Sequence, residues 1–102
     1  MKIEFYSQEK LKKQIIEIMS RYLDLNSYRV FFFGSRIKGN NFPRSDIDIG
    51  IEGADEISIK IKLEIEEELE KLPTLYKFDL IDFKKVSTEF KEFALKYIEY
   101  VR

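Results

Sequence analysis

The 102-residue chain contains no cysteine and no histidine, and only four glycines and two prolines. Without cysteine there are no disulfides and no thiolate metal sites. Without histidine, serine–histidine–aspartate chemistry and imidazole–zinc coordination are excluded together. A bound metal must therefore be a hard cation on oxygen ligands, such as Mg²⁺ or Mn²⁺. No apolar run is long enough to span a bilayer, and Met1-Lys2-Ile3-Glu4 carries no signal-peptide core, so a cytoplasmic protein without membrane contact is expected. A basic excess is also missing. Eighteen Lys and Arg against 19 Asp and Glu leave a formal net charge of −1, which argues against stable general binding of nucleic acid.

What is present is a folding composition: 44% hydrophobic and 36% charged residues, in a length that suits a single domain over residues 1–102. Ser7 is placed to cap a helix running to about Leu25, with an apolar stripe of Leu11, Ile15, Ile18, Met19, Tyr22 and Leu23. Tyr28 to Phe33 reads as a buried strand stopped by Gly34. Ser35 to Lys38 suits one helical turn, and Asn40 to Arg44, with Pro43, suits a loop. Asp46 to Glu52 alternates, with Asp46, Asp48 and Gly50 on one face and Ile47, Ile49 and Ile51 on the other. A helix follows from about Asp55 to Leu72, burying Ile57, Ile61, Ile65, Leu69 and Leu72, and Pro73 stops it. Tyr76 to Phe83 reads as a third strand. Ser87 caps a last helix bearing Phe90, Phe93, Ala94, Tyr97, Ile98 and Val101. The order predicts an α/β (α+β) fold with a small mixed sheet of three to four strands flanked by helices.

Chemistry concentrates between Phe33 and Ile49. A glycine-serine turn after an apolar strand exposes backbone N–H groups to phosphate oxygens, and Ser35 adds a hydroxyl where a helical turn begins. Arg36, Lys38 and Arg44 in the same loop are placed to offset triphosphate charge, although such side chains are ordinarily just solvated. Asp46 and Asp48, at i and i+2, point to one face and repel unless a cation neutralises them. Taken alone, Asp-x-Asp is an ordinary surface pattern. Asp79, between Phe78 and Leu80, is costly in mid-strand without a partner and is the favoured third acid. Asp82 is its rival: at the strand end, on the opposite face and more readily solvated. Three such carboxylates would hold two metal ions.

Jointly, Gly34-Ser35, ten intervening residues, Asp46-Ile47-Asp48 and a later strand acid resemble the signature of the nucleotidyltransferase superfamily that includes DNA polymerase beta. Gly-Ser-Arg-x-Lys-Gly and Arg-Ser-Asp-Ile-Asp-Ile are most similar to the minimal nucleotidyltransferases, the MNT antitoxins, and the resemblance spans essentially the whole chain. It implies the nucleotidyltransferase fold and Mg²⁺-dependent transfer of AMP from ATP to a tyrosine of a HEPN ribonuclease toxin, with which the chain would assemble. Gly34 and Ser35, with Arg36 and Lys38, would hold the triphosphate. Asp46, Asp48 and Asp79 would bind Mg²⁺, and Asp79 would also help deprotonate the attacking hydroxyl. Two other functions are compatible with the pattern: an antitoxin that acts by binding alone, and a small-molecule nucleotidyltransferase of the aminoglycoside-modifying kind. Larger relatives carry a second domain for their substrate, so specificity here is expected to come from the partner. Phe93, Tyr97 and Tyr100 are candidates for that surface, with core packing the simpler expectation for Phe93 and Tyr97.

Overall fold

The computed structural model describes residues 6–34 and 46–102. The helical turn at Ser35 to Lys38 and the loop at Asn40 to Arg44 lie outside the described residues. In chain order the elements are α1 (Gln8–Ser20), β1 (Tyr28–Phe33), β2 (Ile47–Gly53), α2 (Ile59–Glu70), β3 (Phe78–Asp82), α3 (Thr88–Ala94) and β4 (Glu99–Tyr100). The strands form one mixed sheet in the order β3-β2-β1-β4, with β2 and β3 parallel and the other pairs antiparallel.

Each helix starts where a serine side chain satisfies an otherwise unpaired N–H. Ser7 accepts from Lys10, Ser58 from Ile61 and Ser87 from Phe90. The Ser58 cap explains why α2 begins at Ile59 and not near Asp55. At the other end of α1, Asp24 accepts hydrogen bonds from the Asn26 N–H and the Ser27 hydroxyl, and this local turn ends the helix short of Leu25.

The alternating strand pattern divides the core in two. On one face Val30, Phe32, Ile47, Ile49, Ile51 and Leu80 pack beneath α1 and α2, against Leu11, Ile15, Ile18, Met19, Ile65 and Leu69. On the other face Phe31, Phe33 and Phe83 pack with Ala94 of α3. Their rings meet edge to face, with centroids 4.9 Å apart for Phe31–Phe83 and 5.1 Å for Phe33–Phe83. Gly50 lies beneath them, and a Cβ there would overlap the Phe31 ring and come within 2.7 Å of the Phe83 ring. Both aromatic residues close over β2 because position 50 has no side chain.

The last helix differs from expectation. It ends at Ala94, and Glu99–Tyr100 instead extend the sheet along β1, with Phe31 opposite Tyr100 and Phe32 opposite Glu99. Ile98 packs with the α3-side cluster and Val101 with the opposite one, a strand's two-sided alternation and not one helical face. The edge of β1 offers unpaired backbone groups, and the Val101 N–H bonds to the Val30 carbonyl at 2.9 Å. Phe93 and Tyr97 are consequently exposed, not packed in the core.

Asp82 also departs from expectation. It is buried, only 4% exposed, and its carboxylate accepts from the Ile57 N–H at 2.9 Å and the Lys84 N–H at 3.0 Å. It pins the segment before α2 to the end of β3 and has no solvated role. Asp82→Ala leaves two backbone donors without this acceptor, so unfolding in urea is expected to show a loss of about 2–3 kcal/mol. A change below about 0.5 kcal/mol would show that the anchor is dispensable.

Candidate active site

Two strands bring the acidic residues to one end of the sheet, beside the end of β1. Asp48 of β2 stands opposite Phe33 of β1 and opposite Asp79 of β3, so one row across the sheet reads Phe33, Asp48, Asp79. Asp46 immediately precedes β2, two residues before Asp48, and strand alternation would put it on the same face. Parallel pairing of β2 with β3 makes the row: the Ile47 N–H takes the Lys77 carbonyl at 2.9 Å, and Ile47 then falls opposite Phe78.

Gly34 closes the site at the end of β1. Its φ of 89° lies in the left-handed region that a residue with a Cβ adopts only under strain. A Cβ there would also overlap Asp48 Oδ2. The turn and the carboxylate thus meet at one point, which only glycine permits.

Asp79 lies at an exposed position, so the cost of burial does not single it out. Its register with Asp48 does. Asp48 is half-buried, and burial first, then the charges of Asp79 and Asp46, raise its pKa from 3.8 to about 6. Asp82, on the opposite face and fully engaged with backbone N–H groups, is separate from the row.

At the far end of the same face, Glu52 is held by Arg29, with Arg29 Nε donating at 2.9 Å, and by Lys91 of α3. Burial opposes its ionisation, but the hydrogen bonds from Lys91 and Arg29 outweigh that and keep its pKa below the usual glutamate value. One acidic residue of this face is therefore neutralised by the protein's own cations. The described residues supply Asp48 with no such partner.

Ser35, Arg36, Lys38 and Arg44 lie outside the described residues. Among the described residues no three acidic side chains stand close enough to enclose a metal ion by themselves. The donor set nonetheless suits a hard divalent cation completed by other oxygens, because it consists only of carboxylates that crowd one another at Asp48. Sequence reasoning missed the buried role of Asp82 and the ring-covered Gly50. An Asp at the strand's last position and a Gly on the Asp face were their only signals.

A family model described as polymerase beta, nucleotidyltransferase matches residues 5–100. The chain belongs to this family. It is similar to the probable protein adenylyltransferase MntA of Haemophilus influenzae, with 26% identity over 93 residues, covering 89% of this chain and 82% of the relative. A crystal structure of a toxin–antitoxin pair with AMP-PNP matches with a TM-score of 0.73 at 22% identity, over 89% of this chain and 72% of that one. A complex of tri-AMPylated Shewanella oneidensis HEPN toxin with MNT antitoxin matches at 0.70 and 20% identity, over 93% and 72%. These structures establish a nucleotidyltransferase fold. Among the described residues no helix is long and apolar enough to cross a membrane.

Because folding raises the Asp48 pKa, the folded state binds a proton more tightly than the unfolded one, and stability falls as pH rises from about 4 through 6. In EDTA, Asp48→Asn is expected to be more stable than the parent at pH 7 by about 1 kcal/mol, allowing for solvent screening of a half-exposed group. The gain should shrink toward zero near pH 4. Thermal unfolding across that range checks this, and equal or lower stability of the variant at pH 7 contradicts it.

Proposed function

We propose that this chain is an antitoxin that transfers AMP from ATP to a tyrosine of a HEPN ribonuclease partner, in the cytoplasm and with Mg²⁺. The observation that carries this reading is the register that sets Asp79 beside Asp48, whose carboxylate abuts Gly34; this supports the acid pattern of the family. Membership of the nucleotidyltransferase family supports the reaction class, and the MntA and MNT relatives support the acceptor. ATP as the donor is supported by the AMP-PNP held in a related toxin–antitoxin pair.

Asp46, Asp48 and Asp79 would hold Mg²⁺, two ions in the family pattern, and Gly34 and Ser35 would cradle the triphosphate, with Arg36 and Lys38 offsetting its charge. Bound there, Mg²⁺ would supply charge neutralisation for the pyrophosphate that departs. The acceptor hydroxyl forms its bond to the α-phosphorus as the bond to the bridging oxygen of the β-phosphate breaks. Asp79, which is exposed, would take the hydroxyl proton. Asp48, half-buried against Gly34, fixes where charge gathers. Such a site works by positioning and electrostatics, which suits a reaction needing no nucleophile from the enzyme.

Incubation of this chain with its HEPN partner, ATP and Mg²⁺, followed by intact-mass measurement, is expected to add whole AMP units to the partner. Asp46→Asn/Asp48→Asn, or excess EDTA, should reduce the addition at least a hundredfold, roughly the loss expected when a charge-stabilising group is removed. A stable complex without added mass would replace this reading with an antitoxin that acts by binding alone.

A further inference from the structure

The acidic row borders the aromatic cluster on two sides. Phe33 stands opposite Asp48 across β1 and β2, and two residues farther along β2 the rings of Phe31 and Phe83 lie over Gly50. These three rings are closed to solvent, at 0% exposure for Phe31, 7% for Phe33 and 1% for Phe83. Phe90 of α3 packs on Phe33 and Phe83 and is itself 39% exposed. Its ring stands at 88° to Phe33 with centroids 6.1 Å apart, and at 51° to Phe83 at 5.8 Å. The backbone beneath it is fixed, because the Phe90 N–H bonds to the Ser87 capping hydroxyl at 3.1 Å and Lys91 of the same turn is tied to Glu52.

A partly exposed ring, rigidly backed by two buried rings and bordering a phosphate-binding end, has the properties of a base platform. Every nucleobase has a π-face, and stacking on a held aromatic residue needs no hydrogen-bond readout. We infer that Phe90 is the surface on which the nucleobase of the bound nucleoside triphosphate stacks, while the triphosphate lies at the Gly34, Asp48 and Asp79 end of the same sheet face. The inference rests on the reading of that end as the nucleotide site and adds to it the residue that distinguishes a nucleoside triphosphate from a bare polyphosphate. It also accounts for the orientation of α3: the helix that closes the aromatic core presents one ring of that core outward. Because stacking is tolerant of base identity, Phe90 favours purines by ring area and not by their functional groups.

Binding of MgATP and of magnesium tripolyphosphate to the purified chain tests this directly. Phe90→Ala is expected to weaken MgATP roughly tenfold, within the range that base–aromatic stacking supplies, and to leave tripolyphosphate unchanged. The chain contains no tryptophan, so Phe90→Trp introduces a single reporter. That variant should retain MgATP affinity, and its fluorescence should be quenched by MgATP and not by tripolyphosphate. Unchanged MgATP affinity in Phe90→Ala overturns the inference while leaving the nucleotide site intact. Equal losses for MgATP and tripolyphosphate show a structural role and overturn it as well. Failure of the parent chain to bind either ligand removes the nucleotide site itself, and the inference with it.

Discussion

The structure depends on how β2 pairs with its two neighbours. Antiparallel pairing with β1 sets Phe33 opposite Asp48, and parallel pairing with β3 sets Asp79 on its other side. A slip of one residue in either ladder would turn the carboxylates into the Ile-rich core and the isoleucines onto the face of the aromatic cluster. The register is therefore held by burial: Ile47, Ile49 and Ile51 are each fully enclosed beneath α1 and α2. The same apolar contacts that stabilise the sheet aim the acids outward. Local stability and the geometry of the site are consequences of one pattern, and the partial burial, with the neighbouring Asp79 and Asp46 charges, that raises the Asp48 pKa is the cost carried by that arrangement.

The two ends of the acid-bearing face illustrate how charge is managed differently within one strand. Glu52 is matched by Arg29 and Lys91, which also tie α3 to the sheet. Asp48, four residues earlier, faces two further aspartates and the glycine turn. Between them Gly50 leaves room for the rings of Phe31 and Phe83. An ion-paired end, an apolar middle and an acidic end to which the described residues bring no cation follow one another along β2. Such a gradient supports a site that acquires its counter-charge from a ligand, in keeping with the family to which the chain belongs.

Much of this was legible from residue order. The Asp/Ile alternation announced β2 and its two faces, and the helical stripes of α1 and α2 named the residues that fill the larger core cluster. Those signals are local and periodic. What escaped was decided by distant partners. Tyr97 to Val101 reads as the end of a helix by its apolar spacing, yet the open edge of β1 captures Glu99 and Tyr100 as a strand. Asp82 resembles a solvated strand end until the Ile57 and Lys84 N–H groups are seen to converge on it. Asp79 was singled out for its apolar neighbours, whereas its exposed position makes register with Asp48 the relevant property. Gly50 carried no chemical signal at all, because its role is the absence of a side chain beneath two rings.

Carbon-13 NMR titration of the aspartate side-chain carboxyls, first in EDTA and then with Mg²⁺ and AMP-PNP, tests the central proposal most directly: that Asp48, to which the described residues bring no cation, takes its counter-charge from a cation-bound triphosphate. The expected result is a midpoint for Asp48 near 6 in EDTA, moving at least two pH units toward acid when Mg²⁺ and the nucleotide are present together. An Asp48 midpoint near its ordinary 3.8 in EDTA, or one that Mg²⁺ and nucleotide leave unmoved, would contradict it.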